Sequence, residues 1–309
     1  MKLAFFDDFR LGLIQDDRVV DVSGAVTGIR HTSPQDLMNQ LIGGFADHRP
    51  RLEEVASRGS AVPLGQVRLR SPLPRPHNTV CMAVNYMEDG TRAEAAPINA
   101  FLKSPDAVIG HGDTIVLPDV PATIFEAEAE MALVIGKRAH NVRAEDAFDY
   151  VFGYTNFIDM SARGLPPPGN TFYQMKSRDT FAPMGPWLVT ADEVSDPHNL
   201  QITLSVNGET KQSFNTSDMA HKIPRTIEWV SSIHALEPGD VIATGTNHRG
   251  LSGIQDGDQI DLEVAGLGVL HLNVRDDLRR TWPRETRLER ADRGLEGTAP
   301  QSSGKYAPV

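Results

Sequence analysis

The stretch Ile124-Phe-Glu126-Ala-Glu128-Ala-Glu130-Met-Ala132-Leu-Val134-Ile-Gly-Lys137 runs an alternation of glutamates directly into an apolar strand-forming segment. Successive side chains of a strand point to opposite faces, so Glu126, Glu128 and Glu130 share one face, and Ala132 and Val134 continue it. Three carboxylates thus lead onto a face that becomes buried. Like charges in a partly buried place repel, and a strand that keeps them usually holds a cation among them. Downstream, Phe157-Ile-Asp159-Met-Ser-Ala-Arg163 adds another acid after the apolar-flanked run Val151-Phe-Gly-Tyr154. Two glutamates and an aspartate with no histidine nearby form a hard oxygen set, suited to Mg²⁺, Mn²⁺ or Ca²⁺ rather than zinc or copper. The residues alone leave a second reading open, a solvated acidic strand end.

Outward from this segment, residues 79 to about 275 read as many short β-rich runs separated by turn signals. Leu200-Gln-Ile-Thr-Leu-Ser-Val206 alternates with period two, and Asn207-Gly208 supplies the positive-φ pair of a tight hairpin. Glu237-Pro-Gly-Asp240 and Asp256-Gly-Asp258 each precede a further strand, Val241–Ala243 and Gln259–Val264. The best helix covers 223–235, where Ile223, Ile227, Val230 and His234 recur at helical spacing. Before residue 70, a helix start stands at Thr32-Ser33-Pro34, with Leu37, Met38 and Leu41 as its apolar stripe. The fold class is therefore α+β and β-dominated. It divides into a small N-terminal α+β domain (1–70), a proline-rich linker (71–78), a catalytic domain (79–278) and a charged tail rich in Gly, Ser and Pro (279–309). That tail has the composition of a disordered segment.

With 30 Lys and Arg against 41 Asp and Glu, the 309-residue chain carries a formal charge of −11. Such a balance repels phosphate backbones and anionic lipid, so neither nucleic acid nor a membrane is an expected partner. An anionic substrate then needs a local positive centre, such as a metal ion. No apolar run approaches a membrane span, and acidic residues interrupt the first ten positions too early for a secretory signal, so a cytoplasmic protein is expected. The single cysteine, Cys81, lies in the apolar run Thr79–Val84 and reads as a small buried residue rather than a nucleophile.

Over about residues 75–275 the sequence resembles the fumarylacetoacetate hydrolase family. The resemblance rests on five ordered motifs: Glu128-x-Glu130 before Val134-Ile-Gly-Lys137, Asp159-Met-Ser-Ala-Arg163, Lys176-Ser-Arg-Asp179-Thr-Phe-Ala-Pro183-Met-Gly-Pro186, Phe214-Asn-Thr-Ser-Asp-Met219, and Leu236-Glu-Pro-Gly-Asp-Val241 leading to Thr244-Gly-Thr246. It implies a mixed β-roll and a homodimer. It further implies Mg²⁺ or Mn²⁺ held by Glu128, Glu130 and Asp159, with Glu126 as a neighbour. The ion polarises the carbonyl of a small keto or diketo acid and stabilises the enolate formed when a C–C bond breaks. Lys176 becomes a catalytic residue aimed at that developing charge. Arg163, Thr246 and Tyr86 become substrate-binding residues, Arg163 alternatively bracing the ligands through a salt bridge.

Two departures from the family pattern stand out. Family hydrolases carry Asn-Tyr-x-x-His with a glutamate three residues further on, a base and its orienting partner on a short lid. Here Asn85-Tyr86-Met87-Glu88-Asp89-Gly90-Thr91-Arg92 puts Asp89 at the histidine's place and Arg92 at the glutamate's. In the loop after Thr246, Asn247-His248-Arg249-Gly250 replaces a family proline and offers His248 as a substitute imidazole. Asp89 and His248 are accordingly the two candidate bases, the second with Asp89 orienting it. Gly164–Asn170 reads as a rigid rim that narrows substrate choice. The expected activity is metal-dependent hydrolytic C–C cleavage of an acylpyruvate or related 1,3-diketo acid, as in the catabolism of aromatic compounds. The alternatives are a lyase or isomerase acting on a 2-keto acid (decarboxylase, hydratase or keto–enol tautomerase) and a metal-binding protein without turnover.

Overall fold

A computed structural model describes residues 1–169 and 172–308. The strands in chain order are β1 (Lys2–Phe6), β2 (Arg10–Gln15), β3 (Arg18–Asp21), β4 (Ala61–Pro63), β5 (Leu69–Arg70), β6 (Thr79–Met82), β7 (Ala100–Leu102), β8 (Val108–Ile109) and β9 (Thr114–Val116). Then follow β10 (Ile124–Ile135), β11 (Val151–Arg163), β12 (Ala182–Thr190), β13 (Gln201–Val206), β14 (Glu209–Asn215), β15 (Val241–Ala243), β16 (Gln259–Val264) and β17 (Val269–Arg275). The α-helices are α1 (Pro34–Gly43), α2 (Phe45–Arg58), α3 (Phe172–Lys176), α4 (Ile223–Ile233) and α5 (Arg287–Asp292). One mixed sheet runs in the order β4-β3-β2-β1-β12-β11-β10-β15-β6-β7, and a second in the order β14-β13-β16-β17-β9. The architecture is the β-dominated α+β one that the strand pattern predicts.

Local chemistry accounts for the elements. Ser33 caps α1 by accepting the Asp36 N–H, and Pro34 sits in the first turn, where its missing N–H costs nothing. Asn207 and Gly208 both take positive φ in the β13–β14 hairpin. The sequence pattern does not reveal α2, because Pro50 lies inside it and it buries only Leu52 and Ala56.

β10 and β11 are the long central pair, buried along nearly their whole length. One face of β10 (Phe125, Ala127, Ala129, Met131, Leu133 and Ile135) packs into the main core with β13, β16 and β17. On the other face, Ala132 and Val134 join a second core with Leu3, Phe5, Leu37, Met38 and Leu41. The unit we propose as 1–70 therefore shares both that core and, through β1 paired to β12, a sheet with the catalytic unit.

The C-terminal segment departs from the disorder its composition suggests. Trp282 is buried and donates its indole N–H to the Thr123 carbonyl. Arg280, fully buried, forks onto Asp276 and donates to the carbonyls of Leu117, Pro118 and Val120. Thr286 and Glu289 form a capping box on α5. A few anchored side chains hold this segment, and an apolar period does not register them. Among the described residues no helix is long and apolar enough to cross a membrane.

Candidate metal centre

The antiparallel register of β10 and β11 sets Glu128 directly opposite Asp159, with Glu126 opposite Ser161 and Glu130 opposite Phe157. One oxygen each from Glu128, Glu130 and Asp159 lies within 4.8 Å of the others, and all three residues are buried. Two buried lysines share this pocket. Lys176, at the end of α3, donates to Glu128 at 2.8 Å and to Asp159 at 2.6 Å. Lys103, one residue past β7, pairs with the other oxygen of Asp159 and donates to the Met160 carbonyl at 3.3 Å. Ser161 donates its hydroxyl to Glu128 at 2.6 Å.

Charge is not shared evenly. Burial by itself raises the Glu128 carboxyl, but Lys176, then Arg163 and His248, outweigh it and hold that carboxyl well below its ordinary range. Glu130 is pushed well up, first by burial and then by the charges of Asp159 and Glu128. Its one oxygen accepts the Gly245 N–H at 2.8 Å, and among the described residues no Lys, Arg or His comes within ion-pair range of it. Gly245 has a φ of +88°, and a Cβ there would stand 2.9 Å from the Cβ of Asn85, so only glycine brings this N–H to Glu130. A buried carboxylate between two others, without a cation of its own, is the environment a hard divalent ion fits. Lys176 stays protonated, since Asp159 and Glu128 outweigh the lowering effect of its burial.

Glu126 lies outside the triad, clamped between two arginines. Arg163 reaches it at 3.1 Å and Glu128 at 2.5 Å, while Arg287 of α5 grips both Glu126 oxygens at 2.9 and 2.5 Å. Arg287→Ala leaves the buried Glu126 with half its partners. We expect a loss of about 1–3 kcal/mol in urea unfolding, the usual range for a buried polar group left short of partners. An unchanged midpoint would mean that α5 does not stay docked in solution.

The lid tetrad reads differently in space than in sequence. Glu88 and Asp89 both take positive φ, near 56° and 55°, and the Glu88 side chain is buried while that of Asp89 is half-exposed. Glu88 is buried and accepts the backbone N–H of His248 at 2.8 Å and meets its Nδ1 at 2.7 Å. The expectation that Asp89 orients His248 is corrected: the half-exposed Asp89 carboxylate faces Arg249 at 3.4 Å, and Glu88 takes the orienting place. Burial raises the Glu88 carboxyl, but its bonds to His248 more than offset this and leave it lowered, hence ionised. Nδ1 therefore faces the Glu88 carboxylate as the donating nitrogen, and Nε2 is the ring nitrogen left for proton transfer.

The remaining expected residues are buried around this centre. Tyr86 packs edge-on against Phe214 at 5.0 Å, and its hydroxyl lies near Thr244 without a normal hydrogen bond. Thr246 accepts from Gln212, which also bonds the Asn247 carbonyl and the Ala129 N–H, tying the loop to β10. Cys81 is buried, as its apolar run suggests. Of the rim, Gly164–Gly169 follow β11, and Asn170 lies outside the described residues. Pattern reading missed Lys103, Glu88, Gln212 and Arg287. Lys103 had a faint signal, a lysine closing the apolar run Ala100-Phe-Leu102, whereas the others carry none.

A mixed β-roll with a buried hard-oxygen triad on its central strand pair defines a class, the carboxylate-centred divalent-metal enzymes. Residues 78–275 match the family model described as fumarylacetoacetate (FAA) hydrolase C-terminal, and the chain belongs to the fumarylacetoacetate hydrolase family. It is 36% identical over 281 residues to the oxaloacetate tautomerase YisK of Bacillus subtilis, covering 84% of this chain and 93% of that protein. To the maleylpyruvate hydrolase of Aquipseudomonas alcaligenes it is 33% identical over 291 residues, covering 89% and 99% respectively. The crystal structure of maleylpyruvate hydrolase from Sphingobium sp. SYK-6 with manganese(II) and pyruvate superposes with a TM-score of 0.81. The two are 36% identical, covering 89% of this chain and 99% of the other.

Proposed function

We propose that this chain is a divalent-metal-dependent hydrolase that cleaves a C–C bond in an acylpyruvate or related 1,3-diketo acid, with Glu128, Glu130 and Asp159 as the ligands. The observation that carries the reading is the His248–Glu88 pair. It restores, from other positions, the base and orienting partner that Asp89 and Arg92 displace from the lid, and it answers the only argument for a protein without turnover. When bound, Mg²⁺ or Mn²⁺ polarises the substrate carbonyl and stabilises negative charge on its oxygen.

The chain's own residues do the rest. His248 Nε2 takes a proton from water, and Glu88 holds the imidazole and stabilises its charge. Lys176 and Lys103 both pair with Asp159, and we place the Lys176 ammonium where negative charge develops on the substrate. Around the centre four acids (Glu126, Glu128, Glu130, Asp159) face four bases (Lys103, Arg163, Lys176, Arg287). Two further positive charges therefore call for an anion, and a keto acid supplies it despite the protein's overall negative charge. We assign substrate binding to Arg163, Thr246 and Tyr86.

A tautomerase reading is favoured by one feature, the loss of the lid His–Glu pair, because enol–keto exchange moves a proton without an attacking water. Incubating manganese-loaded protein with acetylpyruvate, maleylpyruvate and oxaloacetate separates the two when enol absorbance and products are followed together. We expect pyruvate and the free acid from an acylpyruvate. Loss of oxaloacetate enol with both acylpyruvates intact would replace the hydrolase by the tautomerase. Sedimentation velocity on the same preparation checks the proposed homodimer, and a monomer would remove it.

A further inference from the structure

Glu126 is buried on β10, two residues before Glu128 and on the same face of the strand. A buried carboxylate short of partners claims the nearest cation, and for Glu126 that is Arg163. Arg163 is already divided, donating through Nε to Glu126 at 3.1 Å and through Nη2 to Glu128 at 2.5 Å. What keeps it divided is Arg287, whose Nε and Nη2 take one Glu126 oxygen each.

Glu128 shows what the division achieves. Arg163, Lys176 and Ser161 all donate to its Oε1, at 2.5, 2.8 and 2.6 Å. Among the described residues its Oε2 accepts no hydrogen bond, so three donors fix the carboxylate from one side and leave the other oxygen for an ion.

Arg287 is itself placed by the C-terminal segment, which lies outside the 78–275 match to the family model. Its backbone N–H donates to the Leu251 carbonyl at 2.9 Å. Two residues beyond Leu251, Gly253 bridges to Glu126 and lies so close to Trp282 that a Cβ there would stand 2.7 Å from the Trp282 Cβ. The strip 251–253 is thus layered between β10 and the segment that carries Arg287, directly after the loop that bears His248.

Resting on the reading of Glu128, Glu130 and Asp159 as metal ligands, we infer that Arg287 is a positioning residue of the metal centre. By holding Glu126 it leaves Arg163 on Glu128, so that the docked C-terminal segment sets the affinity for the divalent ion. The coupling is reciprocal, and a bound ion stabilises the docked segment by the same factor. Electrostatics alone forecasts the opposite, since removing a guanidinium makes the surroundings more negative and would tighten a cation.

The test titrates Mn²⁺ calorimetrically into metal-free wild type, Arg287→Gln and the double variant Glu126→Gln/Arg287→Gln, each below its own melting transition. Arg287→Gln should weaken Mn²⁺ binding by about 10- to 100-fold, the usual effect of losing a partner behind a ligand. The double variant, in which no acid draws Arg163 away and the formal charge equals that of wild type, should recover to within about threefold. Because α5 lacks its clamp in both variants, an effect of undocking alone would weaken both equally. Hydrogen exchange reads the reciprocal arm: Mn²⁺ should slow the amides of residues 285–293 in wild type and leave them unchanged in Arg287→Gln. Unchanged or tighter binding by Arg287→Gln, a double variant as weak as the single one, or no protection of 285–293 in wild type would each overturn the inference and leave the ligand assignment standing. Absence of Mn²⁺ binding by wild type would remove both.

Discussion

Glu130→Gln will abolish the stabilisation of this protein by Mg²⁺ or Mn²⁺ and, in the same experiment, raise the melting temperature of the metal-free form. Both effects come from one carboxylate. Glu130 is buried, has two acids beside it, and among the described residues pairs with no cation. The amide keeps the size of the side chain and an oxygen for the Gly245 N–H, but removes a charge that burial opposes. Metal stabilises a folded protein by RT ln(1 + [L]/Kd), about 2.7 kcal/mol at a hundred times Kd, and that increment should vanish with the ligand. The pH dependence has a definite sign. A carboxyl whose folded pKa is raised favours the folded state fully below the unfolded value of about 4.3, and this contribution fades as pH climbs through the folded pKa. Metal-free wild type should therefore lose stability relative to Glu130→Gln as pH rises above the ordinary carboxylate range, and saturating Mn²⁺ should cancel the difference. Glu128 is shifted the opposite way, and because its charge and that of Glu130 repel each other, the substitution relieves Glu128 wherever Glu130 would be ionised, which adds to the advantage of the variant in the same direction. Unchanged metal affinity in calorimetry would sink the ligand assignment.

His248→Gln should lower kcat/KM by about 10²–10⁴-fold with little change in melting temperature, the range for a lost general base. Glu88→Gln should cost about 10- to 100-fold, the usual effect of losing the partner that orients a functional imidazole. The acidic limb of the kcat/KM profile should vanish in His248→Gln and shift in Glu88→Gln, because Glu88 acts through the ring it holds at 2.7 Å. Asp89→Asn should stay within about twofold, since among the described residues its exposed carboxylate meets only Arg249, at long range. An acidic limb lost in Asp89→Asn and kept in His248→Gln would return the base to the lid. If both variants keep wild-type rates and profiles, the proton moves through Lys176 and the non-hydrolytic reading becomes the better one.

Periodicity determined a good part of this molecule. The glutamate alternation placed three carboxylates on one face of a strand, the Asn-Gly pair set the β13–β14 turn, and Ser33-Pro34 set the start of α1. These features are local, fixed by the two-residue repeat of a strand, the positive φ of a turn and the capping of a first helical turn, so neighbouring residues suffice to read them. The choice of Glu128, Glu130 and Asp159 as the proposed metal trio came from the family resemblance, because the alternation by itself treats Glu126, Glu128 and Glu130 alike.

What only the tertiary structure decided is which distant side chains meet. Lys103 and Asp159 are 56 residues apart, Glu88 and His248 are 160, and Glu126 and Arg287 are 161. None of these pairs leaves a trace in the local pattern, because each depends on two loops or strands arriving at one place. The lid shows the physical reason most clearly. Two adjacent acids read alike in sequence, and the arrival of the 247–250 loop decides that Glu88 is buried on a histidine while Asp89 faces an arginine in solvent.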